Sequence, residues 1–321
     1  MNNKLVSIVV PMYYEEDVAN ECYKRLKSTM ERNSIKYELI FVDDGSRDDT
    51  LNILRNIAAL NNKVKVISFS RNFGHQIAVT AGINKAKGDA VVIIDADLQD
   101  PPELIPQMIK LWEKGYEVVY GKRVKRKGES VFKLLTAKLF YRFLNNMTSI
   151  DIPLDVGDFR LIDRKVADVF STMNENNRFV RGMMSWIGFR QIPIEYERQE
   201  RFAGKTKYPL KKMIKFAEDG IISFSPKPLK LIGFLSFSCI GISIFIFLYI
   251  IIMKFIFKNK IQTYLPITMI VTFFSGIQLG AMCLLGEYIS RIYDESKKRP
   301  LYIINEEINM GDSSNECKCI N

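Results

Sequence analysis

The sequence holds a single histidine, two tryptophans and 11 prolines among 321 residues. One histidine, His75, and five cysteines with no C-x-x-C spacing leave no ligand set for a Cys/His zinc centre. Cys22 falls in an expected helix, Cys239 and Cys283 in apolar stretches, and Cys317 with Cys319 in a polar C-K-C tail, so no disulfide framework emerges. Few prolines and 18 glycines in a chain that is 47% hydrophobic exclude disorder and collagen-like repeats. An export signal is also missing. Residues 6–10 (VSIVV) form a short apolar run followed at once by Glu15, Glu16 and Asp17, and residues 1–230 with the C-terminal tail are therefore expected in the cytoplasm.

Charge is what two long stretches lack. Residues 231–253 and 264–286 contain no Asp, Glu, Lys or Arg, although a mean hydropathy of -0.02 conceals them. At about 1.5 Å of rise per helical residue, each is long enough to cross a hydrocarbon core of about 30 Å. The short link between them, residues 254–263, makes them an expected transmembrane hairpin with both flanks on one side. Lysines in the link weaken the positive-inside contrast, so the orientation rests on the missing export signal.

Along the first 120 residues, short β-rich runs at 6–10, 37–42, 64–70, 90–95 and 117–120 alternate with helical spacing. Val18, Cys22, Leu26 and Met30, then Leu51, Leu54 and Ala58, then Ile105, Met108, Ile109 and Trp112 recur at helical intervals. This rhythm predicts an α/β fold with a mostly parallel, Rossmann-like sheet, whose ligands sit beyond the carboxyl ends of the strands. Three strand ends there are rich in carboxylates: PMYYEE (11–16), DDGSRDDT (43–50) and DADLQDPP (95–102). Asp48 or Asp49 and Pro101 with Pro102 suit helix starts. Asp95 and Asp97 do not, and a D-x-D at a strand end can place two hard oxygen ligands on magnesium or manganese.

These motifs, with R-N-F-G-H-Q (71–76), G-D-F-R-L (157–161) and R-F-A-G-K-T-K-Y (201–208) before the two spans, resemble the family 2 polyprenyl-phosphate glycosyltransferases, most closely the bacterial bactoprenol glucosyltransferases and more distantly dolichol-phosphate mannose synthase. The resemblance implies a GT-A domain over 1–208, a juxtamembrane amphipathic helix at 209–230, the spans 231–253 and 264–286, and a tail from 287 to 321. It assigns Pro11, Tyr13, Glu15 and Asp44 to the nucleotide of a nucleotide sugar, Asp95 and Asp97 to metal and diphosphate, and Gln99 to the remaining coordination. Arg123 is assigned to donor or acceptor phosphate, Asp158 to the catalytic carboxylate, and Arg201 with Lys207 to phosphate, with Thr206 as an expected hydroxyl donor. Tyr14 stands where the family usually has Asn. A homotetramer is implied, and Gly276, Gly280 and Ala281 are small enough for helices to approach closely.

The basic charge is concentrated. Residues 122–142 carry eight basic and one acidic residue and 198–230 carry nine and three, so within a net charge of +10 the rest of the chain is slightly acidic. Both segments also show apolar helical spacing, as in helices lying on an anionic membrane surface. Nucleic acid is a rival partner for such charge; the adjoining spans favour a lipid phosphate. The expected reaction is inverting transfer of glucose, with N-acetylglucosamine and mannose as alternatives, to a polyprenyl phosphate at the inner membrane. Asp158 either takes a residual proton or orients the acceptor and stabilises positive charge developing on the sugar ring. His75 and Trp186 read as structural, Trp186 as core. A processive polysaccharide synthase would carry Q-x-x-R-W, which is absent. A membrane-tethered adaptor leaves the D-x-D unexplained.

Overall fold

The computed structural model describes residues 4–123, 156–197 and 264–310, with isolated helical positions between 232 and 252. The chain divides into two compact units, Met1–Tyr141 with Ile150–Met213 and Pro300–Asn321, and Arg142–Ser149 with Ile214–Arg299.

In the first unit the strands are β1 (Leu5–Met12), β2 (Lys36–Asp43), β3 (Val64–Phe69), β4 (Ala90–Ile93), β5 (Val118–Arg123), β6 (Val156–Asp163), β7 (Gln191–Tyr196) and β8 (Ile304–Ile308). They form one sheet in the order β7-β5-β6-β4-β1-β2-β3-β8. Every residue of β1 and β2 after the first is buried, as continuous apolar strands require when helices cover both faces. On one face Val6, Ile8, Val10 and Met12 join Leu26 and Met30 of α1 (Ala19–Arg32), Leu54 of α2 (Thr50–Leu60) and Met108 of α4 (Ile105–Glu113) in the main core. On the other face α3 (His75–Lys85) lies close to β1: a Cβ on Gly82 would stand 2.2 Å from Cγ1 of Val9.

From β1 the chain steps outward through β2 and β3, then crosses to the opposite side of β1 for β4, all in parallel pairing. The crevice where these directions diverge is the ligand position of an open α/β sheet. β6 then enters antiparallel between β4 and β5, with Ile93 opposite Arg160. Two residues further along that register, Asp158 comes level with Asp95 at the carboxyl end of β4.

The sheet is mostly parallel, as expected, with two exceptions: β6 and β8 run against their neighbours. Residues 161–163 complete β6. The helix that follows, α5 (Arg164–Thr172), starts after Asp163, whose carboxylate accepts from the Lys165 N–H. In α6 (Val180–Ile187) the buried side is Val180, Met183 and Met184. Trp186 falls off that side and is 61% exposed, so the core expectation for it was wrong.

In the second unit, α7 (Tyr264–Ser296) runs for 33 residues, ten beyond the expected span. The transmembrane hairpin is not shown: residues 231–253 lie almost wholly outside the described residues, and among the described residues no helix is long and apolar enough to cross a membrane.

The close approach of α3 to β1 is testable. Gly82→Ala forces the helix off the sheet, and overpacking of this kind costs about 1–3 kcal/mol. A lowered thermal midpoint in the variant checks it; an unchanged midpoint would show that α3 yields without cost.

Candidate active site

The carboxyl edge of the sheet collects the acidic loops. After β1, Tyr13 and Tyr14 stand 37% and 40% exposed with ring centroids 4.5 Å apart. Tyr14 has φ +56° and its N–H donates to Ser46 Oγ at 3.1 Å. Asn adopts this left-handed conformation more readily than Tyr, so the backbone here would suit the Asn that the family resemblance implies. The Glu15 N–H donates to Thr50 Oγ1 at 2.9 Å. Pro11 is buried within β1 beside Val42 of β2.

Asp44 follows β2 and is buried. Its Oδ1 accepts from the Phe73 N–H at 2.7 Å, and its Oδ2 from the Gly74 N–H and the Asn72 side chain, both at 2.9 Å. Burial raises its pKa, although the N–H bonds from Phe73 and Gly74 pull the other way. Asp44 therefore anchors the loop that leads into His75, a role its assignment to the nucleotide did not anticipate.

After β4, Asp95 and Asp97 flank Ala96, Leu98 turns the chain at φ +59°, and the Gln99 N–H donates to Asp97 Oδ1 at 3.1 Å. Asp100 is fully buried. It accepts from the Tyr196 hydroxyl and lies 3.5 Å from the Arg123 guanidinium, whose Nε donates to Tyr196 Oη at 3.2 Å. Arg123 thus ties this loop to the ends of β5 and β7.

Asp158, at the start of β6, is 5% exposed and surrounded by donors. Arg181 Nε of α6 donates to Oδ1 at 2.8 Å, His75 Nε2 lies 3.2 Å from Oδ2, and the Gln76 side chain donates to Oδ2 at 3.3 Å. Gln76 Oε1 in turn accepts from the Val180 N–H at 2.9 Å, which joins α3 to α6. Burial pushes the Asp158 carboxyl up, but Arg181 and His75 outweigh it and hold it well below the usual carboxylate range. Burial opposes protonation of His75, yet its bond to Asp158 and the charge of Asp95 raise it to about 9. His75 also lies 3.6 Å from Asp95, so one imidazole bridges the two carboxylates.

Asp95 is treated differently. Burial and the neighbouring carboxylates raise it to about 6, with His75 opposing. Among the described residues its Oδ1 is buried without a hydrogen-bond partner. A buried, unsatisfied carboxylate oxygen beside a second Asp fits a hard divalent cation. Among the described residues no group of three His, Cys, Asp or Glu side chains could hold an ion alone, so the remaining ligands would be substrate oxygens and water.

Of the expected residues, the fold brings Asp95 and Asp158 together, sets Asp97 and Gln99 on the same loop, and turns Arg123 toward Asp100. Arg201, Thr206, Lys207 and nearly all of the two basic segments lie outside the described residues. Arg181, Gln76, Arg160 and Asp100 were missed, and His75 was set aside as structural. Arg160, two residues past Asp158, is 3% exposed, and burial lowers it to about 10. The overlooked signal was charge inside apolar pattern: Arg160 in a strand, and Arg181 beside buried Val180.

Residues 7–170 match the family described as Glycosyl transferase family 2. An uncharacterized glycosyltransferase of Bacillus subtilis, YkcC, is 54% identical over 301 residues, 94% of this chain and 93% of that protein. The bactoprenol glucosyl transferase of Shigella phage SfV is 39% identical over 302 residues, 94% of this chain and 98% of that protein. Among solved structures, glucosyl-3-phosphoglycerate synthase from Mycobacterium tuberculosis, in complex with Mn2+, UDP-glucose and phosphoglyceric acid, is 22% identical and matches with a TM-score of 0.45 over 68% of this chain and 78% of that one.

Since His75 is the only histidine, its imidazole signal is unambiguous. In metal-free protein it is expected to titrate near 9 by NMR, and to fall toward the ordinary 6.5 in Asp158→Asn. The raised His75 stabilises the fold fully below 6.5 and loses that contribution as pH rises through about 9. The depressed Asp158 contributes above 3.8 and loses it as pH falls through its lowered pKa. Their joint contribution therefore peaks between 3.8 and 6.5. A wild-type titration at or below 6.5 would show that the bridge is not made.

Proposed function

The chain belongs to glycosyl transferase family 2, and from that membership we propose that it transfers a hexose from a nucleoside diphosphate sugar to the phosphate of a polyprenyl lipid with inversion at the anomeric carbon. It is a glycosyltransferase of the GT-A, Rossmann-like class; donor and acceptor are the proposed part. Glucose from UDP-glucose is the reading favoured by the near full-length match to bactoprenol glucosyl transferase.

The observation that carries the chemistry is the ionised, cation-flanked Asp158 set level with Asp95. A phosphate monoester has a second pKa of about 6 and is largely dianionic at neutral pH. One of its oxygens forms the bond to the anomeric carbon while the bond to the diphosphate breaks and its electron pair leaves with the nucleoside diphosphate. No proton need be removed. A carboxylate held well below its ordinary pKa is a poor proton acceptor and a good electrostatic partner, so of the two roles expected for Asp158 we favour orientation and stabilisation of positive charge on the sugar ring. Arg181 and Gln76 hold its two oxygens in place. Asp95 and Asp97 would hold magnesium or manganese, which when bound stabilises charge on the departing diphosphate.

Tyr13 and Glu15 remain the proposed nucleotide contacts, Arg123 a proposed phosphate contact, and Arg201, Thr206 and Lys207 the proposed acceptor contacts. Membrane attachment through residues 231–253 and 264–286, a cytoplasmic catalytic domain at the inner membrane, and a homotetramer belong to the same proposal. The exposed Ile267, Val271, Phe273, Leu279, Met282 and Leu285 on α7 support it, because such a surface is unfavourable in water.

Membranes carrying the protein, supplied with undecaprenyl phosphate, magnesium and labelled UDP-glucose, UDP-N-acetylglucosamine or GDP-mannose, test the reaction directly. Label from UDP-glucose is expected in the organic phase, and no lipid labelling with any donor would overturn the proposal. In the same assay Asp158→Asn should lower turnover about 10²- to 10³-fold at saturating substrate. Near-normal turnover would remove Asp158 from the chemistry.

A further inference from the structure

After α7 ends at Ser296, the chain re-enters the first unit at Pro300 and adds β8 antiparallel to β3. This edge strand is heavily fastened. Glu306 meets Arg55 at 2.5 Å, Glu307 meets Lys85 at 2.7 Å, and the Asn309 side chain donates to the carbonyls of Ala58 and Val64 at 2.8 and 3.0 Å. At its leading end the Ser70 N–H donates to the Ile303 carbonyl at 3.0 Å. There Tyr302 stacks on Phe69, with centroids 5.1 Å apart and planes at 19°.

Phe69 passes this contact inward. Its ring meets Phe73 edge-on at 5.6 Å and 86°, and the Arg71 guanidinium covers Phe73 at 4.0 Å. The Phe73 and Gly74 N–H groups are the two backbone donors that Asp44 accepts from, and His75 is the next residue. The loops are in close contact here: a Cβ on Gly45 would stand 2.5 Å from the Arg71 carbonyl carbon.

We propose that Tyr302 is a positioning residue which, through Phe69 and Phe73, fixes the Asn72–Gly74 loop on Asp44 and thereby sets His75 and Gln76 against Asp158. The described contact of Tyr302 is its stack on Phe69. It acts through the rings, and the ring face rather than the hydroxyl makes the stack. The segment that arrives from α7 is thus part of the support of the site, although it lies more than two hundred residues from His75 in sequence.

Hydrogen exchange on the full-length chain, with no ligand added, tests the proposal apart from the transferase reading. Tyr302→Ala is expected to speed exchange across residues 70–78 about three- to tenfold, as loss of one aromatic pair would, with α1 and α4 unchanged. Tyr302→Phe should match wild type. Glu306→Gln, which weakens only a half-exposed ion pair, should stay within about twofold. Tyr302→Leu gives the same readout should the alanine variant not fold. Unchanged exchange at 70–78, acceleration spread over the whole domain, a phenylalanine variant as fast as alanine, or a Glu306→Gln effect of equal size would each overturn it. In the lipid-labelling assay, which rests on the proposed function, Tyr302→Ala should lower kcat/KM by a similar factor and Tyr302→Phe restore it. A wild-type protein that labels no lipid would count against the function while the exchange result still decides the role of Tyr302.

Discussion

A carboxylate taken out of water must find compensating charge or donors, and Asp158 is the residue on which that requirement falls hardest. Its compensation comes from three residues at two places in the sequence: His75 and Gln76 at the start of α3, and Arg181 in α6. Because Gln76 also accepts from the Val180 N–H, the two helices are tied to each other as well as to β6. Removing Asp158 would leave two cations and an amide facing one another in its place. The packing of α3, β6 and α6 at the carboxyl edge is therefore one arrangement around a single charge.

The reversal of β6 makes this possible. A strand running parallel to β4 would present its carboxyl end at this edge and need a long crossover to reach it. Running antiparallel, β6 begins here, and its second and third residues, Gly157 and Asp158, arrive beside Asp95 directly. Gly157 leaves room for Arg123: a Cβ there would stand 2.6 Å from Arg123 Nη2. The same reversal carries Arg160 into the interior on the Asp158 side, where its Nε has no hydrogen-bond partner among the described residues. Burial lowers the Arg160 pKa and the charge of Asp158 opposes that, so this third cation interacts favourably with the same carboxylate.

How much of this was legible follows from which residues announce their own environment. β1 to β4 are apolar runs because helices cover both their faces, and burial of that kind writes itself into composition. β6 hides because GDFRLID spends Asp158 and Arg160 on the interior, and β8 hides because an edge strand such as INEEI is charged in keeping with its exposure. α3 opens on Gly74 without a side-chain cap and so gave no start signal. The Asp95–Asp97 pair and Asp158 were readable as chemistry. Their partners were not, since Arg181 and His75 become informative only when the fold brings them within 3.2 Å of Asp158.

The two central carboxylates differ in where their compensation lies. Asp158 has its cations within the chain and stays ionised whether or not anything is bound. Among the described residues Asp95 shares only the His75 bridge and keeps an unsatisfied oxygen, and it is raised to about 6. On the transferase reading, a divalent cation held by Asp95 and Asp97 would supply the positive charge that Asp95 does not find among the described residues, while Asp158 is already fixed and charged beside it by Arg181 and His75. The two carboxylates therefore divide the edge into one position compensated by the fold and one suited to a bound cation.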